Sequence, residues 1–118
     1  QYNRALKDIN KGIEVDPELP NGYLNRSLVY FKMGAYERAI QDHNTYLQFE
    51  PNNAEIWYEK GLCYRALGKE AEALSCFNRA LELGDNPLFY LERAKTHQQL
   101  GNINQAKKDK ERYEQLQN

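Results

Sequence analysis

The chain has 118 residues, a length that fits one domain and buries a hydrophobic core without disulfide bonds. Its 16 Lys and Arg nearly balance its 17 Asp and Glu, so no global positive field favours a nucleic acid partner. No segment resembles a transmembrane span or a signal peptide, and two cysteines are too few for a disulfide framework. These features predict a reduced, cytoplasmic protein that binds neither nucleic acid nor membrane.

The predicted elements are a single helix followed by three helix pairs. The single helix lies in residues 1–17, and the pairs occupy residues 20–53, 54–86 and 87–118. The first helix of each pair ends at a glycine, which readily takes the left-handed backbone found just past a helix end. These glycines are Gly34, Gly68 and Gly101. The chain therefore predicts seven helices and no strand.

Residues of several classes recur at spacings of 34 and 33 along the chain. Besides the three glycines, an aromatic residue and a small residue keep this period. The aromatic residues are Tyr23, Trp57 and Tyr90, and the small residues are Ala39, Ala73 and Ala106. Independent residue classes that share one period predict a helical repeat, in which small side chains let paired helices approach closely.

The repeat of residues 54–86 resembles the tetratricopeptide repeat. The residues that carry the resemblance are Trp57, Gly61, Tyr64, Gly68, Ala73, Phe77 and Ala80. His43 and Tyr46 depart from the pattern in the preceding repeat, and Asp85 replaces the usual proline. The resemblance implies an all-α fold, a right-handed superhelical solenoid of antiparallel helix pairs, and a single domain over residues 1–118.

We expect the first and the last helix of the repeat array to differ in their exposed surfaces. Residues 1–17 resemble the second helix of an incomplete repeat, so we expect this helix to expose Leu6, Ile9 and Ile13. Two such faces could pair and make a homo-oligomer. The last helix is poor in apolar residues, which is typical of the polar end of an array.

No catalytic or metal-binding constellation is apparent. The candidate ligands or nucleophiles are separated by more than four residues, unlike the close pairs of zinc sites; they are His43, Cys63, Cys76 and His97. Gly-rich phosphate loops and hydrolase motifs are absent. The sequence therefore predicts a protein that is not an enzyme and has no metal or cofactor, and we expect Cys63 to be partly accessible. On the last helix, lysines interleave with acidic residues, which indicates a solvated face.

The family resemblance implies a concave groove lined by the first helix of each pair. The predicted peptide-binding residues are Asn21, Leu24, Asn25, Leu28, Phe31, Glu55, Tyr58, Glu59, Leu62, Arg65, Leu88, Leu91, Glu92 and Lys95. Apolar side chains at so many groove positions indicate an interaction site, and the glutamates beside them favour basic ligands. The predicted function is a protein–protein interaction scaffold that prefers apolar plus basic peptides.

Asn25 and Arg26 resemble part of the strip by which a chaperone-tail-binding subfamily holds a terminal carboxylate. Glu55 and Glu59 stand where that clamp needs basic residues, so an acidic ligand would be repelled there. We expect the Arg26 head to point to solvent or a carboxylate instead. Two other functions stay open, namely self-association through the N-terminal helix and a spacer role in a larger multidomain protein.

Overall fold

The computed structural model describes all 118 residues, Gln1–Asn118, and consists of seven α-helices without a β-strand. The helices are α1 (Tyr2–Val15), α2 (Pro20–Met33), α3 (Tyr36–Phe49), α4 (Ala54–Ala66), α5 (Glu70–Leu83), α6 (Pro87–Gln99) and α7 (Ile103–Gln117). The prediction of an all-α, seven-helix repeat fold is confirmed. The chain divides into two compact units, Gln1–Asn52 with α1–α3 and Asn53–Asn118 with α4–α7. That residues 1–118 form a single domain stays a prediction.

The first helix of each pair ends in the same way. Gly34, Gly68 and Gly101 have φ angles of 78°, 76° and 81°, in the left-handed region that glycine adopts without strain. The residue after each glycine donates its backbone N–H, at 2.8 Å in all three copies, to the carbonyl five residues earlier. These bonds satisfy carbonyls that the helix leaves without partners and turn the chain back into the second helix.

The first unit packs α2 between α1 and α3. Its core comes mainly from α3, with Ala39 fully buried and Leu47 nearly so, whereas α1 contributes no buried residue. The α1 side chains Leu6, Ile9 and Ile13 are half-buried rather than exposed. The expectation that they form an open face is wrong, because α1 packs on α2 and Ile13 reaches the backbone of Gly22 in that helix.

The second unit has the larger aromatic core. Phe77 of α5 and Phe89 of α6 are among its most buried side chains, with exposed fractions of 0% and 1%. A Cβ atom on Gly61 would lie only 2.6 Å from the Phe77 ring. The absence of a side chain at Gly61 therefore lets α4 and α5 approach closely, as the period of small residues predicts.

An arginine–carboxylate pair joins the two helices of a repeat in each unit. Arg26 of α2 donates from Nε and from a terminal nitrogen to the Asp42 carboxylate, at 2.9 and 2.7 Å. Its other terminal nitrogen donates to the Asn10 side chain at 2.9 Å. The expectation that the Arg26 head finds a carboxylate is confirmed. The bidentate geometry fixes both position and orientation of the guanidinium.

The same arrangement recurs in the second unit, 67 residues later. Arg93 donates to both Asp109 oxygens at 2.7 Å and to Asn78 at 3.0 Å. The repeat between these two copies departs from the pattern, because Lys60 and Cys76 occupy the arginine and aspartate positions. Lys60 instead lies over the Trp57 ring, 4.8 Å from its centroid.

Candidate functional site

The predicted groove residues fall on two parts of the chain. Nine lie on α4 and α6, which are in contact within the second unit, and five lie on α2 in the first unit. We call the first set the α4/α6 surface. It consists of Glu55, Tyr58, Glu59, Leu62, Arg65, Leu88, Leu91, Glu92 and Lys95.

Tyr58 anchors the α4/α6 surface to the core of the unit. Its ring centroid lies 4.9 Å from that of Phe89 and 5.9 Å from that of Phe77. Burial, together with the charges of Glu92, Glu55 and Glu59, raises the pKa of Tyr58 to about 12. The phenol therefore stays protonated at neutral pH and can donate a hydrogen bond to a ligand.

Leucines form the apolar part of this surface. Leu88, near the start of α6, is 45% exposed, while Leu62 and Leu91 are half-buried. Asn86 sets the start of α6, because its side chain accepts the backbone N–H of Leu88 at 2.9 Å. Pro87 occupies the first turn, where a missing N–H costs nothing.

The charged residues of the surface are not equivalent. Arg65 contacts Glu92 at 2.7 Å, and Lys95 contacts the same carboxylate at 3.1 Å, so the Glu92 charge is compensated within the protein. Glu55 accepts a hydrogen bond from the Asn86 amide at 3.2 Å, and neither Glu55 nor Glu59 has a Lys or Arg partner. Burial, and then the charge of Glu55, raises the pKa of Glu59.

The α2 positions in the first unit carry no charge. Asn21, Asn25 and Leu28 are exposed, Leu28 to 44%, whereas Leu24 is half-buried. Phe31 is half-buried and packs its ring edge-on against Tyr36, with centroids 5.6 Å apart. These residues offer apolar contacts and neutral hydrogen-bonding groups.

The expectation that Cys63 is partly accessible is wrong. Cys63 is fully buried, and burial, together with Glu59 and Cys76, raises the pKa of its thiol to about 12. A buried neutral thiol behaves as a small hydrophobic side chain and not as a nucleophile. The helical face on which Cys63 lies is covered by other parts of the fold, which the face pattern of α4 alone did not indicate.

Sequence reasoning missed a cleft of about 800 Å³ between α6 and α7. Its lining includes Leu91 and Lys95 from the predicted set, and also Ile103, Lys107 and Lys110 of α7. The signal for the α7 residues was their spacing of i, i+4 and i+7, which places them on one helical face.

A second cleft of about 740 Å³ lies between α4 and α5. Its charged lining mixes Lys60 and Arg79 with Glu72 and Glu82, so it presents no dominant charge. No three His, Cys, Asp or Glu side chains converge in a way that could hold a metal ion. None of the seven helices is both long enough and apolar enough to cross a membrane.

Two family models match the chain. One, described as the tetratricopeptide repeat, matches residues 54–86, and the other, described as a TPR repeat, matches residues 28–68. Together they span residues 28–86, half of the 118-residue chain. A comparison with curated protein sequences finds no match.

Solved structures of MamA proteins have a similar fold. A crystal structure of MamA is 18% identical with a TM-score of 0.90, over 95% of this chain and 66% of that one. MamA 41-end from Desulfovibrio magneticus RS-1 is 16% identical with a TM-score of 0.92, over 98% of this chain and 66% of that one. This chain thus spans just under two thirds of their length, and likeness at this identity shows the fold alone.

The helix pairs, the glycine-terminated first helices, the 33- to 34-residue period and the two family matches agree with one another. Tetratricopeptide repeats are in general non-catalytic modules for protein–protein interaction. The chain belongs to the tetratricopeptide repeat family.

Proposed function

We propose that the protein is a scaffold that binds a peptide or helix of a partner protein on the α4/α6 surface, with a preference for apolar plus basic ligands. The observation that carries this proposal is a pair of carboxylates, Glu55 and Glu59, beside Tyr58 and exposed Leu88 without any Lys or Arg partner. Apolar anchors with flanking charge are what a peptide site needs to combine affinity with selectivity.

The electrostatics of Glu59 support a basic ligand. Its raised pKa means that the fold does not stabilise the ionised form, so the carboxylate stands in a place that is unfavourable for the protein alone. A ligand lysine or arginine would supply the missing partner. Glu92 is not available for that role, because Arg65 and Lys95 already compensate it.

The α2 residues have the same proposed role within the first unit. Exposed Leu28 and half-buried Leu24 would contact apolar ligand side chains, and Asn21 and Asn25 would hydrogen-bond a ligand backbone. Asn25 would act there as a neutral polar contact rather than as part of a carboxylate clamp.

Selection from a random 12-residue peptide library on the immobilised protein tests the proposal. We expect the recovered peptides to be enriched in Leu or Phe together with Lys or Arg. The double substitution Glu55→Gln with Glu59→Gln should weaken a selected peptide about fivefold or more, as should Leu88→Ser. The control is Glu111→Gln with Glu114→Gln on exposed positions of α7, which changes the net charge equally.

The outcome of the selection can also contradict the proposal. Recovered peptides without basic residues would show that Glu55 and Glu59 do not determine which ligands bind. Equal weakening by both double variants would show that the total charge of the protein, rather than the α4/α6 surface, determines binding.

Self-association is a second candidate function, favoured by exposed apolar residues at the two ends of α1. Tyr2 is 45% exposed and Val15 is 84% exposed. If these residues pair with a second copy, light scattering should show a dimer that Val15→Glu abolishes, since burying an unpaired charge is costly. A protein that is monomeric at high concentration would exclude this function.

A further inference from the structure

The cleft between α6 and α7 carries charge of one sign. Four cations line it, Arg65, Lys95, Lys107 and Lys110, and no carboxylate does. Arg65 and Lys95 are paired with Glu92, so the uncompensated charge of the cleft is that of Lys107 and Lys110. Leu91 and Ile103, the latter 54% exposed, form its apolar part. We call this surface the α6/α7 groove.

The acidic residues of α7 do not neutralise the groove, although they alternate with its lysines in sequence. Asp109 is buried and bonded to Arg93 on another side of the helix. Glu111 and Glu114 do not line the cleft, and neither Lys107 nor Lys110 forms an ion pair. A helix that only faces solvent has no need to separate its lysines from its acidic residues. The separation of Lys107 and Lys110 from the acidic residues of α7 therefore indicates an acidic partner.

The corresponding surface of α4 and α5, one repeat earlier, holds a helix. This surface is distinct from the mixed-charge cleft between α4 and α5, because it includes Tyr58 and Arg65, which do not line that cleft. The α6 helix packs on α4 and α5, with the Phe89 ring against Tyr58 and with Glu92 paired to Arg65 at 2.7 Å. An aromatic residue and a glutamate at i and i+3 are therefore how this fold seats a helix in such a groove.

The 33-residue period shows how the α6/α7 groove differs from that template. Three apolar residues of α4 and α5 have lysine at the corresponding positions of α6 and α7; Leu62, Leu74 and Phe77 correspond to Lys95, Lys107 and Lys110. The small residues Gly61 and Ala73 correspond to Ala94 and Ala106, which keep the two helices close. The close approach of the two helices is thus retained, whereas the surface that they form becomes positively charged.

We propose that the α6/α7 groove binds an amphipathic helix of a partner protein, one that presents an aromatic or aliphatic residue to Leu91 and Ile103 and glutamates or aspartates to Lys107 and Lys110. This ligand is the opposite in charge of the one proposed for the α4/α6 surface. Lys107 and Lys110 belong only to the groove, so the two sites can be tested separately.

The probe is a fluorescein-labelled peptide with the sequence of α6 preceded by its N-cap residue Asn86, carrying Arg93→Glu, Lys95→Glu and His97→Glu. It keeps the phenylalanine and glutamate that seat α6 in its own groove. One control peptide carries lysine at the three changed positions and in place of Glu92. A second is the acidic peptide with Thr96→Pro, which cannot continue a helix through that position.

Fluorescence anisotropy should show that the acidic peptide binds and that the lysine and proline peptides bind at least tenfold more weakly. Lys107→Glu with Lys110→Glu should weaken the acidic peptide at least tenfold. The matched control, Lys69→Glu with Lys108→Glu, has the same net charge at exposed positions outside the groove, and it should bind within twofold of the unaltered protein. Circular dichroism checks that both variants stay helical.

Several results would overturn the proposal. Equal losses in the two double variants would mean that only total charge matters, and an equally tight proline peptide would exclude a helical ligand. A dimer of the unaltered protein that Lys107→Glu with Lys110→Glu dissociates would identify a second copy as the occupant. The variant that combines Glu55→Gln with Glu59→Gln should bind the acidic peptide as tightly as the unaltered protein does. Failure of the α6/α7 groove proposal can therefore be distinguished from failure of the proposal for the α4/α6 surface.

Discussion

At the scale of single residues, Glu59 is a carboxylate that the fold keeps although it does not stabilise its charge. Its pKa is raised in the folded protein above the ordinary value of 4.5. At a pH between 4.5 and the raised pKa, the folded state binds more protons than the unfolded state. The free energy of unfolding that this group contributes therefore falls as the pH rises. A destabilising residue in the proposed binding site is consistent with a trade of stability for function.

We predict that Glu59→Gln stabilises the folded protein at pH 7. The gain should be below about 1 kcal/mol, because the group is only partly buried and solvent screens its charge. The gain should shrink as the pH falls through 4.5, because the carboxyl then becomes protonated in the unfolded state as well. Urea unfolding at pH 7 and pH 4 measures it, with Glu111→Gln as an exposed control. A loss of stability at pH 7 would show that Glu59 has a stabilising partner.

Arg26 and Arg79 are each paired with a carboxylate, and the two carboxylates differ in how far they are exposed to solvent. The Asp42 carboxylate that Arg26 holds is 4% exposed, whereas the Glu82 partner of Arg79 is 63% exposed. We predict that Arg26→Ala costs roughly 3 kcal/mol, because Asp42 stays buried without its cation. Arg79→Ala should cost less than about 0.5 kcal/mol, as exposed ion pairs usually do. Chemical denaturation of both variants tests this, and equal costs would contradict it.

At the scale of helices, small residues control how closely the two helices of a pair approach. A Cβ at Gly61 would meet three atoms of the Phe77 ring within 3.0 Å, whereas a Cβ at Gly12 in α1 would meet nothing within 4 Å. The Phe77 ring is fully buried, and protein interiors are close-packed, so a shift of the ring would disturb its neighbours.

We predict opposite effects for alanine at these two glycines. Gly61→Ala should destabilise the protein by roughly 1–2 kcal/mol, because overpacking outweighs the better helix propensity of alanine. Gly12→Ala should stabilise it by roughly 0.5–1 kcal/mol, because only the propensity changes. Thermal unfolding followed by circular dichroism compares the two. A stabilising Gly61→Ala would mean that α4 and α5 can separate without cost.

At the scale of the whole molecule, burial is unevenly distributed within each unit. The α1 helix has no buried residue, while α3 contributes six to the core of the same unit. In the second unit, α7 buries only Ala106 and Asp109, while α5 buries Ala73, Cys76, Phe77 and Ala80. Helices with few buried contacts open at lower free energy.

We predict that hydrogen exchange follows this distribution. Amides of α1 should exchange at least about tenfold faster than those of α3, and amides of α7 faster than those of α5, because local opening exposes less apolar surface. Exchange measured by mass spectrometry on the intact chain resolves each helix. Equal protection of α1 and α3 would show that the first unit opens only as a whole.

The repeat and its helices follow from the order of the amino acids. Glycine after the first helix of a pair, alanine between helices and aromatic residues beside them act through local backbone preference and helical periodicity, which a period of 33 or 34 makes visible. The seven helices and the close approach at Gly61 were therefore predictable.

Which side chains are available to a ligand depends on how the helices pack against one another. Glu92 is compensated by Arg65, 27 residues earlier, and Cys63 is covered by its neighbours. On α7 the sequence alternates lysine with acid, yet Asp109 turns to Arg93 while Lys107 and Lys110 face the α6/α7 groove. Pairing and burial depend on side chains brought by other helices, so a pattern read along one helix could not reveal them.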